Sequence, residues 1–407
     1  MLTLLATLAL ALPAPQSAAR APAVRLGIDV LLEERIELVR GKRVGLLTHA
    51  AGVDARLVPT VDRLAADERV ELVRLFSPEH GIRGDVPAGD HVDDARDRAT
   101  GLPVVSLYGA KRRPDAKALE GLDALLVDLQ DVDARCYTYV SSLGEAMLGC
   151  AEVGLPVIVL DRPNPRGGLA FDGPMREERW KSFIGWGPVP VSHGLTIGEM
   201  ARLYRRELGI DVDLEVVPMA GWRRDMTWEA TGLVWTQTSP HIPTALSAHV
   251  YVATAMAASS AKNVSDGVGS TMPFELLGAE FVDPRALRLA LEAAKLPGVR
   301  YQELSWRPFY GAFQGKTLHG VRLVLDDPAR FQPVRAALVF LVTLRDLYPD
   351  QLELQTPEVV AKHWGEERFL ERLRAGDSAA EIAAGWREGL ARFAKVREAV
   401  ALYPAAR

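Results

Sequence analysis

The sequence predicts an α/β protein in which a parallel sheet, covered by helices on both faces, is joined to a second, smaller α+β domain. Two features lead to this fold class. In the first half of the chain, short apolar runs alternate with stretches of helical periodicity, as βαβ crossovers require. In the second half, helices dominate and strands no longer alternate with them. A chain of 407 residues is too long for one ordinary core, so we expect domains at residues 24–232 and 233–407.

The first predicted element is an amphipathic helix over residues 28–39. Apolar runs then predict strands at residues 44–48, 70–76, 103–107, 124–129 and 156–160. Between the later strands, residues 138–154 are predicted to form a crossover helix. The capping-box pair of Thr196 and Glu199 predicts the start of another helix. A strand at residues 214–218 is expected to close the first domain.

The second domain is predicted to be mostly helical, after a connecting segment without clear periodicity at residues 221–243. One strand is expected at residues 320–325. Helices are predicted at residues 245–260, 284–295, 328–347, 365–375 and 378–402. A cleft between the two domains is the natural place for a ligand.

Hydrogen-bonding side chains follow all five strands of the first domain. They are Thr48 and His49 after the first, Ser77, Glu79 and His80 after the second, Tyr108 after the third, Gln130 and Asp131 after the fourth, and Asp161, Arg162 and Asn164 after the fifth. In open α/β sheets, ligands bind outside the carboxyl ends of the strands. We therefore expect these side chains to meet in one crevice.

The run L-F-S-P-E-H-G-I-R-G at residues 75–84 sets polar chemistry directly after a core strand. Pro78 fixes one backbone angle and Gly81 permits unusual ones, which indicates a shaped turn. Apolar surroundings disfavour a charged carboxylate and keep a proton available, so Glu79 is the candidate catalytic acid or base. The alternative is a surface glutamate paired with Arg83.

A cluster of carboxylates lies at the end of the fourth strand, with Asp128 inside the strand and Asp131 and Asp133 after it. At the edge of a sheet these groups are candidates for the second catalytic group, for acceptors of sugar hydroxyls or for ligands of a hard cation. Asp161 is a further candidate, in a turn shaped by two prolines. The alternatives are structural: a buried basic partner or a helix cap for the cluster, and an Asp–Arg surface turn for Asp161.

Arg135, Tyr137 and Tyr139 combine a cation with two aromatic rings, which suits a sugar that carries a carboxylate. The alternative for the tyrosines is ordinary packing. His193 is expected either to orient a ligand or to cap the following helix, and the structural role is favoured for a lone histidine.

Composition and missing motifs exclude several classes of protein. A net charge of -5 gives no electrostatic reason to expect nucleic acid as a partner. The sequence has no H-E-x-x-H, G-x-S-x-G, P-loop or G-x-G-x-x-G motif, so we expect neither a metal nor a cofactor. Cys136 and Cys150 are interpreted as two buried thiols.

Residues 1–20 are apolar and then rich in small residues, which predicts a secretory signal although no Lys or Arg precedes the apolar run. The rest of the chain contains no stretch that predicts a membrane span. We therefore expect a secreted, periplasmic or cell-envelope protein without stable membrane insertion after removal of the signal.

Several motifs together resemble the DUF1343 family, whose characterised members are NamZ-like exo-β-N-acetylmuramidases. The motifs are F-S-P-E-H-G-I-R-G at 76–84, D-L-Q-D-V-D-A-R-C-Y-T-Y at 128–139, L-D-R-P-N-P-R-G-G at 160–168, S-P-H-I-P-T at 239–244 and N-V-S-D-G-V-G-S-T-M-P-F-E at 263–275. The resemblance implies a Rossmann-like domain and a glycosidase that releases N-acetylmuramic acid from peptidoglycan fragments or muropeptides. It also implies that Glu79 is catalytic. The strand-end carboxylates Asp128, Asp131 and Asp161 are the candidate partners that the residues themselves offer. The candidate substrate-binding residues are His49, His80, Arg83, Gln130, Arg135, Tyr137, Tyr139, Asp161, Arg162, Asn164, His193, Asn263 and Glu275.

The loop at 263–271 departs from the family pattern E-G-T-N-x-S-E-G-R-G-T-T. Asp266 stands where the family has a glutamate and Val268 where it has an arginine, and a further glutamate is replaced near Ser260. These changes motivate a second hypothesis, a glycan-binding protein without catalytic activity. A third hypothesis is a metal-dependent hydrolase that uses Glu79, His80, Asp128 and Asp131.

Overall fold

The computed structural model describes residues 24–87, 89–90 and 93–406, so the predicted signal at residues 1–20 lies outside the described residues. The strands of the main sheet are β1 (Arg43–Thr48), β2 (Glu71–Ser77), β3 (Ala95–Arg96), β4 (Pro103–Ser106), β5 (Ala124–Asp128), β6 (Val157–Leu160) and β7 (Leu214–Val217). Their order is β3-β4-β2-β1-β5-β6-β7, and every neighbouring pair is parallel except β3 with β4. The predicted parallel sheet is confirmed.

Helices cover this sheet on both faces. They are α1 (Gly27–Glu34), α2 (Thr60–Ala65), α3 (Ala116–Leu119), α4 (Tyr139–Val153) and α5 (Ile197–Glu207), with 3₁₀ turns at Ile36–Leu38 and Glu178–Trp180. Successive residues of a strand point to opposite faces. Accordingly, Leu46 packs in the cluster that contains Leu31 of α1, and Leu47 packs in the one that contains Leu143 of α4. The predicted capping box of Thr196 and Glu199 begins α5.

The second part of the chain contains a three-stranded antiparallel sheet of order β8-β10-β9. Its elements are α6 (Trp228–Thr231), α7 (Ala245–Ser259), β8 (Leu276–Ala279), α8 (Pro284–Ala293), β9 (Val299–Trp306), β10 (Leu318–Leu325), α9 (Pro333–Leu347), α10 (Pro357–Trp364), α11 (Phe369–Arg374), α12 (Ala379–Ala384) and α13 (Arg387–Val400). Val321 and Leu338 belong to the same buried cluster as Leu47, so the core continues from the first sheet into this part.

Several sequence predictions for the second part were wrong. Strands β8 and β9 were not predicted. In β9, exposed polar residues lie between the buried Tyr301 and Trp306 and obscure the strand pattern. The helix predicted over 365–375 begins instead at Phe369, since Gly365 has a φ of 76° and ends α10 in a left-handed conformation. The helix predicted over 378–402 is two helices. No described helix has the length and apolar character needed to cross a membrane.

Candidate active site

The strand order changes direction at β1, which lies between β2 and β5. At such a switch point the connections after neighbouring strands diverge and leave a crevice where ligands bind. His49, Glu79 and Gln130 follow these three strands, and each is at most 9% exposed. This edge of the sheet therefore carries the candidate active site.

Both carboxyl oxygens of Glu79 accept hydrogen bonds. Oε2 accepts one of 2.7 Å from the Thr138 hydroxyl, at the start of α4. Oε1 accepts one of 3.0 Å from the backbone N–H of Gly89. Neither donor is charged, and Glu79 makes no ion pair among residues 24–87, 89–90 and 93–406. The carboxyl group is thus held in position without being neutralised by a cation.

The turn that carries Glu79 has an unusual backbone. His80 has a φ of 74°, in the left-handed region that residues other than glycine rarely adopt. Its ring Nδ1–H donates a hydrogen bond of 3.0 Å to the carbonyl of Val86, which closes the turn. Arg83 is bound to Asp97 and Asp62 by hydrogen bonds of 3.0 Å. The alternative that Glu79 pairs with Arg83 is therefore wrong, and the guanidinium of Arg83 is occupied within the protein.

Tyr108, which follows β4, is a site residue that the sequence analysis did not single out beyond its place at a strand end. Burial and the nearby Glu79 carboxylate together raise the pKa of Tyr108 to about 12. A phenol with this pKa stays protonated at neutral pH and can donate a hydrogen bond to Glu79. Thr138 was likewise missed, although it lies inside a motif that was noted.

The tyrosines predicted to cover a sugar are packed inside the protein instead. The Tyr137 hydroxyl donates to the Thr238 hydroxyl at 2.9 Å, and the Tyr139 hydroxyl donates to the Thr238 carbonyl at 2.7 Å. Their rings meet edge to face at a centroid distance of 4.9 Å, and Tyr139 is 1% exposed. The packing alternative therefore holds for Tyr139. Both rings pack near Glu79.

Arg135 does not face a ligand, contrary to the prediction. It is 1% exposed, and it donates to the carbonyls of Pro174 and Val189 at 2.9 Å and of His363 at 3.0 Å. Burial lowers the pKa of Arg135 to about 10. Its guanidinium joins the first half of the chain to α10 by these hydrogen bonds, so the function of Arg135 is structural.

Asp128 is paired with Arg162 inside the protein. Arg162 donates to both carboxyl oxygens of Asp128, the Nη2–Oδ2 distance being 2.8 Å, and the Thr60 hydroxyl donates to Oδ2 at 2.5 Å. Both ion-paired side chains are at most 3% exposed. The structure thus shows the alternative role, a carboxylate with a buried basic partner, and leaves neither Asp128 nor Arg162 open to a substrate.

Asp161 and Asn164 also serve the framework of the first domain. Asp161 is fully buried and accepts hydrogen bonds from the Thr196 hydroxyl and the Gly198 N–H, both at 2.8 Å, at the start of α5. Burial raises the pKa of Asp161 to about 7. Asn164 donates to Asp133 at 2.9 Å and to the Leu195 carbonyl at 3.0 Å. Asp161 thus caps the start of α5, and Asn164 stabilises the loop that follows β6.

One carboxyl oxygen of Asp131 has no hydrogen-bond partner within residues 24–87, 89–90 and 93–406. Its Oδ2 accepts from the Asp133 N–H at 2.7 Å and lies 3.2 Å from Nε2 of His193, whereas Oδ1 is buried and has no hydrogen bond. Although burial opposes a charged ring, Asp131 and Asp133 raise the pKa of His193. In the neutral ring, Nδ1 of His193 accepts from the Leu195 N–H at 3.1 Å and the proton on Nε2 faces Asp131. In the charged ring both nitrogens carry protons, and Nδ1 lies 3.6 Å from Oδ1 of Asp133.

Two more buried polar atoms at this edge of the sheet, Nδ1 of His49 and Oε1 of Gln130, have no hydrogen-bond partner in the part of the chain that the structure describes. The other ring nitrogen of His49 accepts a 2.9 Å hydrogen bond from the Gln130 N–H. Burial, together with the charge of Arg162, lowers the pKa of His49 well below its usual range. A neutral imidazole and an amide oxygen without partners are groups that a bound hydroxyl or water can satisfy.

The second part of the chain reaches the site through His241. Burial lowers the pKa of His241, and the proximity of His80 lowers it further. His241 Nε2 is 2.9 Å from the Tyr310 hydroxyl, and the two rings are stacked. His241 lies in the motif S-P-H-I-P-T, but the sequence alone indicates no function for it.

Asn263 and Glu275, predicted to bind substrate, make contacts within the second part of the chain. Asn263 donates to the Gln351 carbonyl at 2.8 Å. Oε2 of Glu275 accepts from both Nε and Nη2 of Arg322, at 3.1 and 2.8 Å. These bonds stabilise the loop and the sheet, and no contact in the described residues joins either side chain to Glu79.

Tyr251 packs against Tyr137 near Glu79 and also lines a cavity of about 400 Å³. Burial raises the pKa of Tyr251, and Cys136, Tyr137 and Glu79 raise it further, so this ring is close to the candidate acid. The cavity is also lined by Val264, Asp266 and Phe274 from the loop region where the sequence departs from the family pattern. Its volume is within the range of small-molecule sites, roughly 300–1,000 Å³.

No group of three or more His, Cys, Asp or Glu side chains suited to a metal ion occurs in the described part of the chain. In particular, Asp128 is committed to Arg162, so it does not join Glu79 in a ligand set. Cys136 and Cys150 are both free thiols.

Two family models match the chain. The N-terminal model of the exo-β-N-acetylmuramidase NamZ covers residues 44–246, and the C-terminal model covers residues 249–403. The chain is 40% identical over 385 residues to the peptidoglycan β-N-acetylmuramidase NamZ of Bacillus subtilis (strain 168), covering 95% of this chain and 92% of that protein.

Crystal structures of two DUF1343 family proteins from Bacteroides fragilis NCTC 9343 are also similar. One has a TM-score of 0.87 at 35% sequence identity. The other has a TM-score of 0.76 at 24% identity, a likeness that concerns the fold alone. Each comparison covers 94% of this chain and 99% of the other.

Proposed function

This chain belongs to the family of NamZ exo-β-N-acetylmuramidases, and we propose that it releases N-acetylmuramic acid from the non-reducing end of peptidoglycan fragments. One observation of the site carries the proposal. Glu79 lies at the switch point of the sheet, 9% exposed, with a carboxyl group that is positioned by neutral donors and has no described cation as partner. The carboxyl group is therefore held in place and remains available to exchange a proton with a substrate, as a general acid or base must.

In this proposal Glu79 first acts as an acid. Its carboxyl proton passes to the glycosidic oxygen as the bond from that oxygen to the anomeric carbon breaks, and the leaving sugar departs as an alcohol. The carboxylate then accepts a proton from the water that completes hydrolysis. Thr138 and the Gly89 N–H orient the group, and the protonated Tyr108 stabilises its charged form.

Asp131 is the best placed of the three aspartates for the second catalytic function. Asp128 is neutralised by Arg162, and Asp161 is fully buried at the start of α5. Of the three, Asp131 alone retains an oxygen that has no hydrogen-bond partner among the described residues. Burial raises the pKa of Tyr137, with Asp131 and Glu79 both contributing, so the two carboxylates lie near the same phenol.

The substrate assignment also suits a protein outside the cytoplasm. Residues 1–20 have the composition of a secretory signal. We therefore place the protein in the periplasm, the cell envelope or the medium, acting on glycan fragments or muropeptides released from the wall.

Incubation with defined disaccharides tests the activity. The substrates carry N-acetylmuramic acid at the non-reducing end in one set and N-acetylglucosamine in the other, and mass spectrometry follows the products. We expect free N-acetylmuramic acid from the first set only. Binding without product release would favour the glycan-binding hypothesis, and activity abolished by a chelator and restored by a cation would favour the metal-dependent one.

A further inference from the structure

Three consecutive cations follow Tyr108, and two of them are bound to carboxylates. Lys111 is 3.0 Å from Asp115. Arg113 bridges Glu145 and Glu152 at 2.8 and 2.6 Å. Arg112, between them, makes no ion pair with any residue in the described part of the chain. Its charge is therefore available to a ligand.

The guanidinium of Arg112 lies over the ring of Phe183, with Cζ 4.2 Å from the ring centroid. This stacking fixes the plane of the group and leaves its N–H edge free to bind a carboxylate in a bidentate manner. The Phe183 ring is 6.1 Å from the ring of Tyr108, which neighbours Glu79. Arg112 also acts on Tyr108 directly, because its charge opposes the rise in the pKa of that phenol.

The segment under Arg112 is attached to the helix that positions Glu79. The carbonyl of Phe183 accepts a 2.6 Å hydrogen bond from the Ser141 hydroxyl in the first turn of α4. Thr138, which donates to Glu79, immediately precedes that turn. The segment on which Arg112 stacks and the side chain of Glu79 are thus both hydrogen-bonded to the start of α4.

We propose that Arg112, stacked on Phe183 beside Tyr108, binds a carboxylate of the substrate and determines specificity for carboxylate-bearing sugars. This inference rests on the proposed function, since N-acetylmuramic acid carries a lactyl carboxylate that N-acetylglucosamine lacks. When a peptide is attached to the lactyl group, that carboxylate becomes an amide and the carboxylates of the peptide are the other source of the same chemistry.

Steady-state kinetics with three substrates test the assignment: 4-nitrophenyl β-N-acetylmuramide, its lactyl methyl ester, and a disaccharide whose lactyl group carries a peptide. We expect Arg112→Met to raise KM for the free acid roughly tenfold or more, as loss of a charge-assisted hydrogen bond requires, and to leave the ester unchanged. Arg112→Lys should restore part of the loss. A selective effect on the peptide substrate assigns the carboxylate to the peptide instead.

Lys111→Met is the matched control, because it removes one positive charge from the same segment but from a side chain that is 71% exposed. We expect it to leave all three KM values near those of the wild type. Equal losses for acid and ester in Arg112→Met, or no loss for any substrate, would overturn the inference. Calorimetric binding in a Glu79→Gln background keeps the two proposals separate, because weaker binding of the acid alone supports Arg112 even if the wild type proves inactive.

Discussion

Glu79 and the aspartates after β5 and β6 lie at the same edge of one sheet, yet their environments differ. Asp128 is bound to a cation, and Asp161 accepts hydrogen bonds from several donors in a fully buried setting. Glu79 accepts hydrogen bonds from the neutral donors Thr138 and Gly89, and no cation in the described part of the chain pairs with it. The difference teaches that position at a strand end supplies candidates, whereas competition from internal donors decides which carboxylate is left for chemistry.

The largest effect expected from this contrast is on turnover by Glu79→Gln. The amide keeps the size of the side chain and still accepts from Thr138, but it has no proton to transfer. We expect kcat to fall about 10²–10⁴-fold, with stability changed by about 1 kcal/mol or less. Release of 4-nitrophenol from the muramide and urea unfolding measure the two quantities. Wild-type turnover in this variant would remove Glu79 from the mechanism.

Asp128→Ala should show the opposite pattern, a loss of stability. It leaves Arg162 buried without its partner, which costs about 3–5 kcal/mol. Urea unfolding measures the loss. The double variant Asp128→Ala with Arg162→Met is the control, and we expect it to recover much of the difference because no unpaired charge remains. A single variant as stable as the wild type would contradict the assigned ion pair.

The same contrast shows which structural features could be predicted from the sequence. Six of the seven strands of the first sheet were predictable because they are apolar runs of the length typical of buried strands. The remaining strand, β3, was not predicted, since it consists of two exposed residues. Arg135 was misread, because a lone arginine beside tyrosines looks the same whether it binds a ligand or three backbone carbonyls. Strand β9 was missed, since its polar residues hide the alternation of a half-exposed edge. Residues distant in the chain determine both the role of Arg135 and the formation of β9, and no local sequence pattern identifies these partners.

A smaller effect is expected for Thr138→Val, which removes the hydrogen bond to Oε2 of Glu79 without changing the size of the side chain. A hydrogen bond to a charged group contributes about 1.5–3 kcal/mol, so we expect kcat/KM to fall roughly 10–100-fold. Thr138→Ser keeps the hydroxyl and should retain most of the activity. If both variants behave alike, the hydroxyl does not position the acid.

The smallest effect concerns the pH dependence of stability near Asp131. His193 has a folded pKa above its ordinary value, about 6.5 in an unfolded chain, because the contact with Asp131 outweighs burial. The charged ring therefore stabilises the fold fully below about pH 6.5, and this stabilisation is lost as pH rises through the folded pKa. Urea unfolding of the wild type and of His193→Gln across this range measures the difference. Asp161, whose pKa burial raises to about 7, titrates in both proteins, so its contribution cancels. We expect the stability advantage of the wild type to shrink with rising pH, and an advantage that grows would show that Asp131 does not hold His193 in its charged form.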